Sequence, residues 1–504
     1  MSHHHSRTGG KQLHFIWISL IVVILSLIAP LYSAKACTAV YVGKDLTEDG
    51  STIFARTEDL EPHHNKTFVV KGEQKHKKGD KFKDEAYGFT MPLPDRSFRY
   101  TALPDVTPEE GIFDEAGTNE YGVMMDATVS CYTKEEILKV DPLVEEGGIS
   151  EGAMTTAVLP YVRTAREGVE RLTHLVEENG NAEPNALIIA DQKETWYVEL
   201  LSGHQYAAVK LPEDRFVVFP NAFFLDTIDT KSRDVIASVG LVSTAKKAGT
   251  LVEKNGKIHV SNSYADKIAD GTKSRYWRGV QLLDEKSEIT LDTPDEELPF
   301  YHQTDKKISL QDIMALQRDR YEGSGYKPQD KSSTGTGKED KKEENLPLSK
   351  HEGLYPIGNE NTMEAHIFQV FGDLPKEAPA IMWEAIGSPL VSPYLPYFGN
   401  IQETAKPYQV TTEHYDDASY YWATDKLLTQ LLAHEKETKK AIREDVEHFE
   451  APYQKQAMQW KQTMTKKHKK NAKEADTWIT KKTVEMGNEA FKSLKNWEKH
   501  YVKE

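Results

Sequence analysis

The N-terminal segment constrains this chain most strongly, because it predicts where the folded protein begins. A short basic region precedes a largely apolar run over residues 15–29, which Pro30 ends. About 15 residues are few for a membrane-spanning helix, which needs roughly 20. Ala34-Lys35-Ala36 then supplies the small-x-small pattern that signal peptidase reads. The sequence therefore predicts a signal peptide over residues 1–36, a secreted or cell-surface protein, and a mature chain that begins at Cys37.

Two alternatives to a cleaved signal stay open from the sequence. The apolar run could remain attached as an N-terminal anchor. A lipoprotein signal would also place a cysteine at position 37, and Cys37 would then carry a lipid rather than a free amine. Against this, Ala34 stands where a Leu-like residue is usual, and Lys35 stands where a small or uncharged residue is usual.

Composition excludes several classes of protein. The 504 residues are 38% hydrophobic and 28% charged, which is typical of a globular chain rather than a disordered one. The formal net charge of -16 argues against nucleic acid as a partner, since such proteins need a basic surface. Two cysteines exclude a disulfide scaffold and a cysteine-rich zinc module.

The order of predicted elements indicates an α+β fold. Residues 37–130 contain short β-branched and aromatic runs between turn residues, and 186–221 return to the same pattern. Residues 151–180 have a helical period instead. A further helix is predicted over 309–321, with Ser309 as its N-cap.

The second half of the chain contains a polar insertion and a basic tail. Residues 323–349 are almost free of apolar side chains and predict a surface loop within the main domain, residues 37–425. Residues 426–504 have strong helical composition. From Leu431 onward they carry 17 basic and 12 acidic residues. The positive charge of this tail predicts that it docks on the acidic remainder of the chain. A contact between the tail and the cell surface is an alternative. The sequence does not decide whether the protein forms a homo-oligomer.

A cysteine at the first position of a mature chain is chemically unusual. A thiol is a good nucleophile only as thiolate, and it needs a base. The α-amino group of Cys37 has an ordinary pKa of about 7.7–8.0, so it can accept that proton near neutral pH. One residue would then supply both nucleophile and base.

The residues that follow resemble a known family. The resemblance lies in the order and spacing of motifs over roughly residues 37–425: Cys37-Thr38-Ala39-Val40, Asp49-Gly50-Ser51-Thr52, Ala55-Arg56-Thr57-Glu58-Asp59, Asn119-Glu120-Tyr121-Gly122-Val123, Trp196-Tyr197-Val198-Glu199, Arg318-Asp319-Arg320-Tyr321 and Glu364-Ala365-His366-Ile367-Phe368-Gln369. These motifs are similar to the dipeptidase A family of cysteine dipeptidases, which belong to the N-terminal nucleophile (Ntn) hydrolases and are related to choloylglycine hydrolases.

The resemblance implies a fold and a set of site residues. The fold is an αββα sandwich of two antiparallel sheets with helices outside, here with a helical C-terminal extension. Arg56 is expected beside the Cys37 thiolate, and Asp59 is expected to bind the N-terminal amine. Asn221 matches the asparagine of the oxyanion hole, and Arg275 matches the second arginine of the site. Cys37 is expected in an open cleft, with its thiolate favoured.

The resemblance implies a secreted cysteine dipeptidase that acts on dipeptides through a thioester acyl-enzyme. An amidase of the bile salt hydrolase or penicillin V acylase type is an alternative, and a non-enzymatic surface lipoprotein is another.

No cofactor and no metal are predicted, because the chain has no HExxH or comparable ligand cluster. His63-His64 is interpreted as a solvated loop pair and His366 as a satisfied core histidine. A disulfide between Cys37 and Cys131 would be compatible with an oxidising compartment, but it would destroy the nucleophile.

Overall fold

The computed structural model describes residues 36–107, 111–329, 346–433 and 436–502. Most of the predicted signal peptide, including its apolar run, and most of the predicted polar loop lie outside these ranges. Within the described ranges, no helix is both long enough and apolar enough to cross a membrane.

The strands are short and are concentrated between residues 38 and 237 and between 353 and 398. In chain order they are β1 (Thr38–Val42), β2 (Thr52–Asp59), β3 (Val69–Lys71), β4 (Gln74–Lys75), β5 (Lys81–Lys83), β6 (Thr90–Pro92), β7 (Arg96–Ser97), β8 (Tyr100–Ala102), β9 (Ala116–Thr118), β10 (Met124–Ser130), β11 (Asn185–Ala190), β12 (Thr195–Leu200), β13 (Tyr206–Lys210), β14 (Phe216–Pro220), β15 (Val235–Ala237), β16 (Glu253–Lys254), β17 (Lys257–Ile258), β18 (Lys327–Pro328), β19 (Gly353–Leu354), β20 (Thr362–Val370), β21 (Ala380–Ile386) and β22 (Leu395–Phe398).

The helices lie between the strand groups and at the C-terminus. They are α1 (Glu135–Leu138), α2 (Glu151–Val158), α3 (Ala165–Asn179), α4 (Leu241–Ala248), α5 (Val260–Tyr264), α6 (Asp270–Leu283), α7 (Leu310–Gln317), α8 (Tyr420–Ala433), α9 (Lys436–His468) and α10 (Ala472–Tyr501), with short 3₁₀ turns at Leu159–Tyr161, Asp295–Glu297, Leu348–Lys350 and Lys406–Gln409. The predicted cap of α7 is confirmed: Ser309 and Asp312 form a reciprocal capping box.

Two six-stranded antiparallel sheets form the centre of the molecule. The first sheet has the order β14-β1-β2-β20-β21-β22, and the second has the order β15-β13-β12-β11-β10-β9. The two sheets pack face to face. Tyr197 of β12, for example, stacks edge-on against Phe219 of β14 with ring centroids 4.8 Å apart. Their central strands are buried on both faces, as a sheet between two layers must be.

Helices cover both outer faces of this sandwich. Helices α2 and α3 pack on β10, β11 and β12 of the second sheet, whereas α6, α7 and α8 pack on the first sheet. The αββα architecture implied by the sequence resemblance is therefore confirmed, and it is built from the predicted β, α, β order. Helix α3 also has the strongly one-sided apolar pattern of a surface helix, with Val169, Leu172 and Val176 buried.

The C-terminal helices form a pair on the edge of the first sheet. Helices α9 and α10 pack on each other and on β22, so the predicted helical tail is confirmed. Two of their lysines contact acidic residues of the body: Lys461 lies 2.7 Å from Asp373, and Lys495 lies 2.5 Å from Asp417. These ion pairs are consistent with a basic tail docked on an acidic body.

Candidate active site

Pairing of β1 with β2 brings the predicted nucleophile beside the predicted arginine. Thr38 pairs with Thr57, and Ala39 pairs with Arg56, so Cys37 and Arg56 project from the same face of the first sheet. That face points inward, towards the second sheet. Arg56 Nη1 donates to Cys37 Sγ at 3.5 Å. Two residues that the sequence placed in one site are thus together.

The environment of Cys37 differs from the predicted one. Cys37 is 3% exposed, and burial raises the pKa of its thiol to about 12, although the nearby Arg56 charge acts in the opposite direction. With Ala36 attached, Cys37 does not lie in an open cleft and its thiolate is not favoured; the open cleft expected of the mature chain stays a prediction. Ala36, which is fully buried, is still attached, and its backbone N–H donates to the Asp59 carbonyl at 2.9 Å.

Asp59 lies at the end of β2, close to the thiol. One carboxylate oxygen, Oδ2, accepts a hydrogen bond from Asn359 Nδ2 at 2.8 Å. The other, Oδ1, is buried and has no hydrogen-bond partner among the described residues. Burial raises the pKa of Asp59 to about 6, against the lowering effect of neighbouring donors and arginines. A buried acceptor without a donor is costly, and a new ammonium group at this position would satisfy it.

Arg275 of α6 contacts the backbone on both sides of the Ala36–Cys37 peptide bond. Its Nη1 donates to the Ala36 carbonyl at 2.6 Å and to the Cys37 carbonyl at 2.5 Å. Close packing of α6 on the sheet makes this reach possible. A Cβ on Gly279 would lie 2.7 Å from Val218 Cγ1 of β14, so no larger residue fits there without a shift.

Asn221 follows β14 directly. Because Thr38 pairs with Pro220, the next position of the register places Asn221 beside Cys37. Its side chain is held at both ends: Oδ1 accepts from Arg275 Nη2 at 2.9 Å, and Nδ2 donates to the Ser130 carbonyl at 3.1 Å. All five predicted site residues are therefore brought together.

Glu199 supports the loop that carries Asn221, and sequence reasoning gave it no role. It is fully buried in β12, and its Oε1 accepts from the backbone N–H groups of Phe224 and Leu225 at 2.8 and 3.0 Å. The Tyr197 hydroxyl donates to the same oxygen at 2.7 Å. Burial raises the pKa of Glu199 to about 7. The sequence signal that could have identified Glu199 is its position in the Trp196-Tyr197-Val198-Glu199 motif.

Arg56 is surrounded by acidic side chains that the sequence did not assign. Its Nε donates to Asp126 Oδ1 at 2.7 Å, and its Nη2 donates to Glu115 Oε2 at 2.6 Å. A register shift in β10 aims two successive carbonyls, those of Ala127 and Thr128, at the same guanidinium. Arg56 is thereby fixed with one nitrogen directed at the sulfur.

Strands β20 and β21 add three more ionisable groups to this buried face. We call the set the inner-face cluster, and its members are Arg56, Glu115, Asp126, Glu364, His366 and Glu384. Glu364, His366 and Glu384 present ligand atoms within 4.8 Å of one another, an arrangement that could hold a metal ion. The statement that the chain has no clustered ligand set is therefore wrong, because pairing of β20 with β21 creates a cluster that is discontinuous in sequence.

The carboxylates next to the two ring nitrogens of His366 argue against a metal at this cluster. His366 Nδ1 lies 3.0 Å from Glu364 oxygens, and Nε2 lies 3.1 Å from Asp126 Oδ1. Both ring nitrogens lie near carboxylates, and these carboxylates raise the pKa of His366 to about 9. An imidazole that is protonated on both nitrogens has no lone pair for a metal. The interpretation of His366 as a core histidine agrees with its full burial, but the ring is satisfied only at Nδ1, because Nε2 makes no hydrogen bond to the described residues.

The cavity next to Cys37 is small and acidic. Its volume is about 10 Å³, roughly the space of a single water molecule. It is lined by Cys37, Glu58, Asp59, Leu60, Asp105, Phe113, Glu115 and Glu151. Five of these eight residues carry carboxyl groups, and cations contact three of them: Lys66 contacts Glu58 and Asp105, and Arg56 contacts Glu115.

Other sequence interpretations have mixed outcomes. His63 is exposed and pairs with Asp425, but His64 is largely buried and lies 3.1 Å from Asp105, so the His63-His64 pair is not simply solvated.

Cys37 and Cys131 are both buried free thiols, and Cys131 donates to the Val129 carbonyl. The alternative of a disulfide between them is therefore wrong for this structure.

Comparison with known proteins gives a family match over most of the chain. The family model described as Peptidase family C69 matches residues 36–451. The match begins one residue before Cys37 and ends inside α9.

Individual relatives and structures are also similar to this chain. A probable dipeptidase B of Streptococcus pyogenes serotype M1 is 42% identical over 93% of both chains. A probable dipeptidase of Latilactobacillus sakei is 30% identical over 91% of this chain and 94% of its own length. Among solved structures, a penicillin V acylase from Agrobacterium tumefaciens is 12% identical and covers 72% of this chain and 86% of its own, with a TM-score of 0.29.

Proposed function

The chain belongs to peptidase family C69, and from this premise we propose that it is a secreted cysteine dipeptidase with Cys37 as its nucleophile. Two observations support the proposal. The chain is similar over more than nine-tenths of its length to proteins named as probable dipeptidases. In addition, Cys37, Arg56 and Asp59 meet at one buried site.

The proposed enzyme requires removal of everything before Cys37. While Ala36 is attached, the Cys37 nitrogen is an amide and cannot accept a proton. The thiol is also buried, its pKa is raised to about 12, and the adjoining cavity is too small for a dipeptide. Cleavage creates an α-amino group and removes the buried Ala36, so it supplies the base and opens the site in one step.

Asp59 then orients the new amine. Its Oδ1, which has no hydrogen-bond partner in the described chain, is the acceptor available for an N–H of the Cys37 amine. The amine takes the proton of the Cys37 thiol. The charge of Arg56, 3.5 Å from the sulfur, favours the resulting thiolate.

The thiolate attacks the carbonyl carbon of the dipeptide, and a negative charge develops on the carbonyl oxygen. We propose the Asn221 backbone N–H as a donor to this oxyanion, since the register places Asn221 beside Cys37. Arg275 and Ser130 hold the Asn221 side chain and so fix the orientation of the donor. One such donor is worth about 2.7–4 kcal/mol of transition-state stabilisation.

Collapse of this intermediate breaks the peptide bond. The Cys37 ammonium gives its proton to the leaving amino group, and the first residue of the dipeptide remains on sulfur as a thioester. Water then attacks the thioester, with the Cys37 amine taking the water proton, and the thiol is restored as the amino acid leaves.

The observation that carries the proposal is the contact between Arg56 and Cys37 Sγ, beside a buried Asp59 oxygen that has no donor among the residues the structure describes. The test uses purified protein whose mature N-terminus has been verified as Cys37. Cys37→Ala should lose nearly all hydrolysis of dipeptides, while Cys131→Ser, its matched control, should keep most of it. A wild-type rate in Cys37→Ala contradicts the proposal. Cleavage of penicillin V or a conjugated bile acid in preference to every dipeptide contradicts the substrate assignment.

Secretion is proposed on the sequence pattern of residues 1–36 alone. The mass and N-terminal sequence of protein recovered from outside the producing cell test it. A chain beginning at Cys37 with a free amine supports secretion and maturation together. A diacylglyceryl group on Cys37 would instead identify a surface lipoprotein.

A further inference from the structure

His366 occupies the centre of the charged row on the inner face of the first sheet. It lies in β20, directly opposite Arg56 of β2 and Glu384 of β21. Residues directly opposite one another in antiparallel strands project from the same face. The row therefore leads from the arginine beside the nucleophile to the interior of the sheet.

Among the described residues, two carboxylates lie within 3.1 Å of the imidazole nitrogens. Glu364 of its own strand lies at Nδ1, Asp126 of β10 lies at Nε2, and the Phe368 ring is edge-on at 5.5 Å. A neutral imidazole has one N–H, so one of these carboxylates would then face a lone pair. The two carboxylates raise the pKa of His366 to about 9 in spite of its burial.

The surroundings of two further acids of the inner-face cluster, Glu384 and Glu115, favour the neutral form. Glu384 is 2% exposed, and neither of its oxygens has a hydrogen-bond partner in the described part of the chain. Burial and the adjacent Glu364 raise the pKa of Glu384 well above its ordinary value, and burial also does so for Glu115. Asp126 and Glu364 each lie near both cationic side chains: Asp126 is 2.7 Å from Arg56 and 3.1 Å from His366, and Glu364 is 3.9 Å from Arg56 and 3.0 Å from His366.

Arg56 is within reach of both of those carboxylates. Its Nε donates to Asp126 at 2.7 Å, and its Nη2 lies 3.9 Å from Glu364. We propose that His366 is a positioning residue for the reaction: as an imidazolium it neutralises Asp126 and Glu364, so that the positive charge of Arg56 remains available to the Cys37 sulfur. This inference rests on the proposed function, and it assigns His366 a role without contact with substrate.

The test measures the Cys37 thiol directly. Mature protein in a Cys131→Ser background is alkylated with iodoacetamide at a series of pH values, and kcat and KM for a dipeptide are measured in parallel. In His366→Gln, which keeps the approximate volume and loses the charge, the midpoint of alkylation should move up by about one pH unit. We expect kcat to fall about tenfold, with KM changing less than about twofold.

Two further variants make the charge argument specific. Burial and Glu364 favour the neutral form of Glu384, and Glu384→Gln keeps the shape of that form. It is therefore the matched control and should leave the midpoint unchanged. Glu364→Gln removes an anion that competes for Arg56, so it should move the midpoint down. If His366 had only a structural role, His366→Gln and Glu364→Gln would not move the alkylation midpoint in opposite directions. Circular dichroism and thermal unfolding establish that each variant is folded.

Three results would overturn the inference. They are an unshifted midpoint in folded His366→Gln, equal shifts in His366→Gln and Glu384→Gln, or a stoichiometric metal in the purified protein that is lost on substitution of His366. If His366→Gln does not fold, the direction of the Glu364→Gln shift decides. Absence of dipeptide hydrolysis by the wild type would contradict the proposed function, whereas the alkylation midpoints would still test His366.

Discussion

Two buried arginines in this molecule are held by similar ion pairs and hydrogen bonds but differ in the groups that their remaining donors contact. Arg56 lies between the sheets and is 1% exposed, and Arg318 lies where α9 meets the body and is 3% exposed. Arg318 makes a bidentate pair with Glu450 of α9, with both distances 2.7 Å. Its other donors reach the carbonyls of Pro389 and Ser392.

The two guanidinium groups differ in the acceptors that their N–H groups contact. The donors of Arg318 end on one carboxylate and two carbonyls, and the Tyr394 ring lies beneath the guanidinium at 4.8 Å. Arg56 spreads its donors over two different carboxylates and two carbonyls, and one nitrogen also points at Cys37 Sγ. The comparison teaches that burial and ion pairing alone do not distinguish the arginine proposed for the active site; its remaining donor, which contacts the Cys37 sulfur, does.

Removing the charge of Arg56 or of Arg318 should give the largest difference in activity between two variants. Arg56→Gln and Arg318→Gln should both lower the free energy of unfolding by about 3–5 kcal/mol, because each leaves a buried acidic partner without its cation. Only Arg56→Gln should also abolish activity, with kcat of the folded protein falling about 10²–10³-fold. Folded Arg318→Gln should keep kcat within about threefold. An equal loss of kcat in both variants would contradict the distinction.

The C-terminal helices are part of the folded body rather than an appendage. Glu450→Gln should lower the free energy of unfolding by about 3–5 kcal/mol, since it leaves the buried Arg318 charge uncompensated. Glu447→Gln, an exposed change on the same helix, should cost less than about 1 kcal/mol. Denaturant titration measures both. The expectation that the tail carries no candidate site residue agrees with the structure, but truncation near residue 430 removes a buried counter-charge.

The excess of acids near Cys37 should make stability depend on pH. Because burial raises the folded pKa of Asp59 to about 6, the native precursor binds this proton more tightly than the unfolded chain does. The stabilisation is fully present below pH ~4 and is lost as pH rises through about 6. Wild-type precursor should lose about 3 kcal/mol relative to Asp59→Asn across this window. Parallel stability curves for the two proteins would count against a raised pKa.

The smallest expected effect concerns the packing of α10. A Cβ on Gly487 would lie 2.8 Å from Tyr408 Cε2 and 2.9 Å from Ala405 Cβ. Overpacking costs about 1–3 kcal/mol, and the gain in helix propensity offsets about 1 kcal/mol of it. Gly487→Ala should therefore lower stability by about 1 kcal/mol without changing kcat. The neighbouring exposed Asn488→Ala, which has only the propensity gain, should be neutral or slightly stabilising.

Much of the fold follows from local sequence. The β-branched runs became β1, β2 and β10–β14, and Ser309 with Asp312 capped α7, because side-chain periodicity and capping act within a few residues. The inner-face cluster was not predicted, although Glu364 and His366 stand two apart in β20 and so share a face. Their partners are distant in sequence: Asp126 comes from the second sheet, and Glu384 comes from the next strand.

The sequence by itself determined which elements form, the family motifs, and the five residues proposed for the site. Only the tertiary structure decided their surroundings. Cys37 is buried while Ala36 is attached, which raises the pKa of its thiol; His366 lies near two carboxylates, which raise its pKa; and Arg318 pairs with Glu450. The physical reason is that secondary structure depends on neighbours along the chain. The charge of a buried group depends instead on lost water and on which distant charges come within a few ångströms.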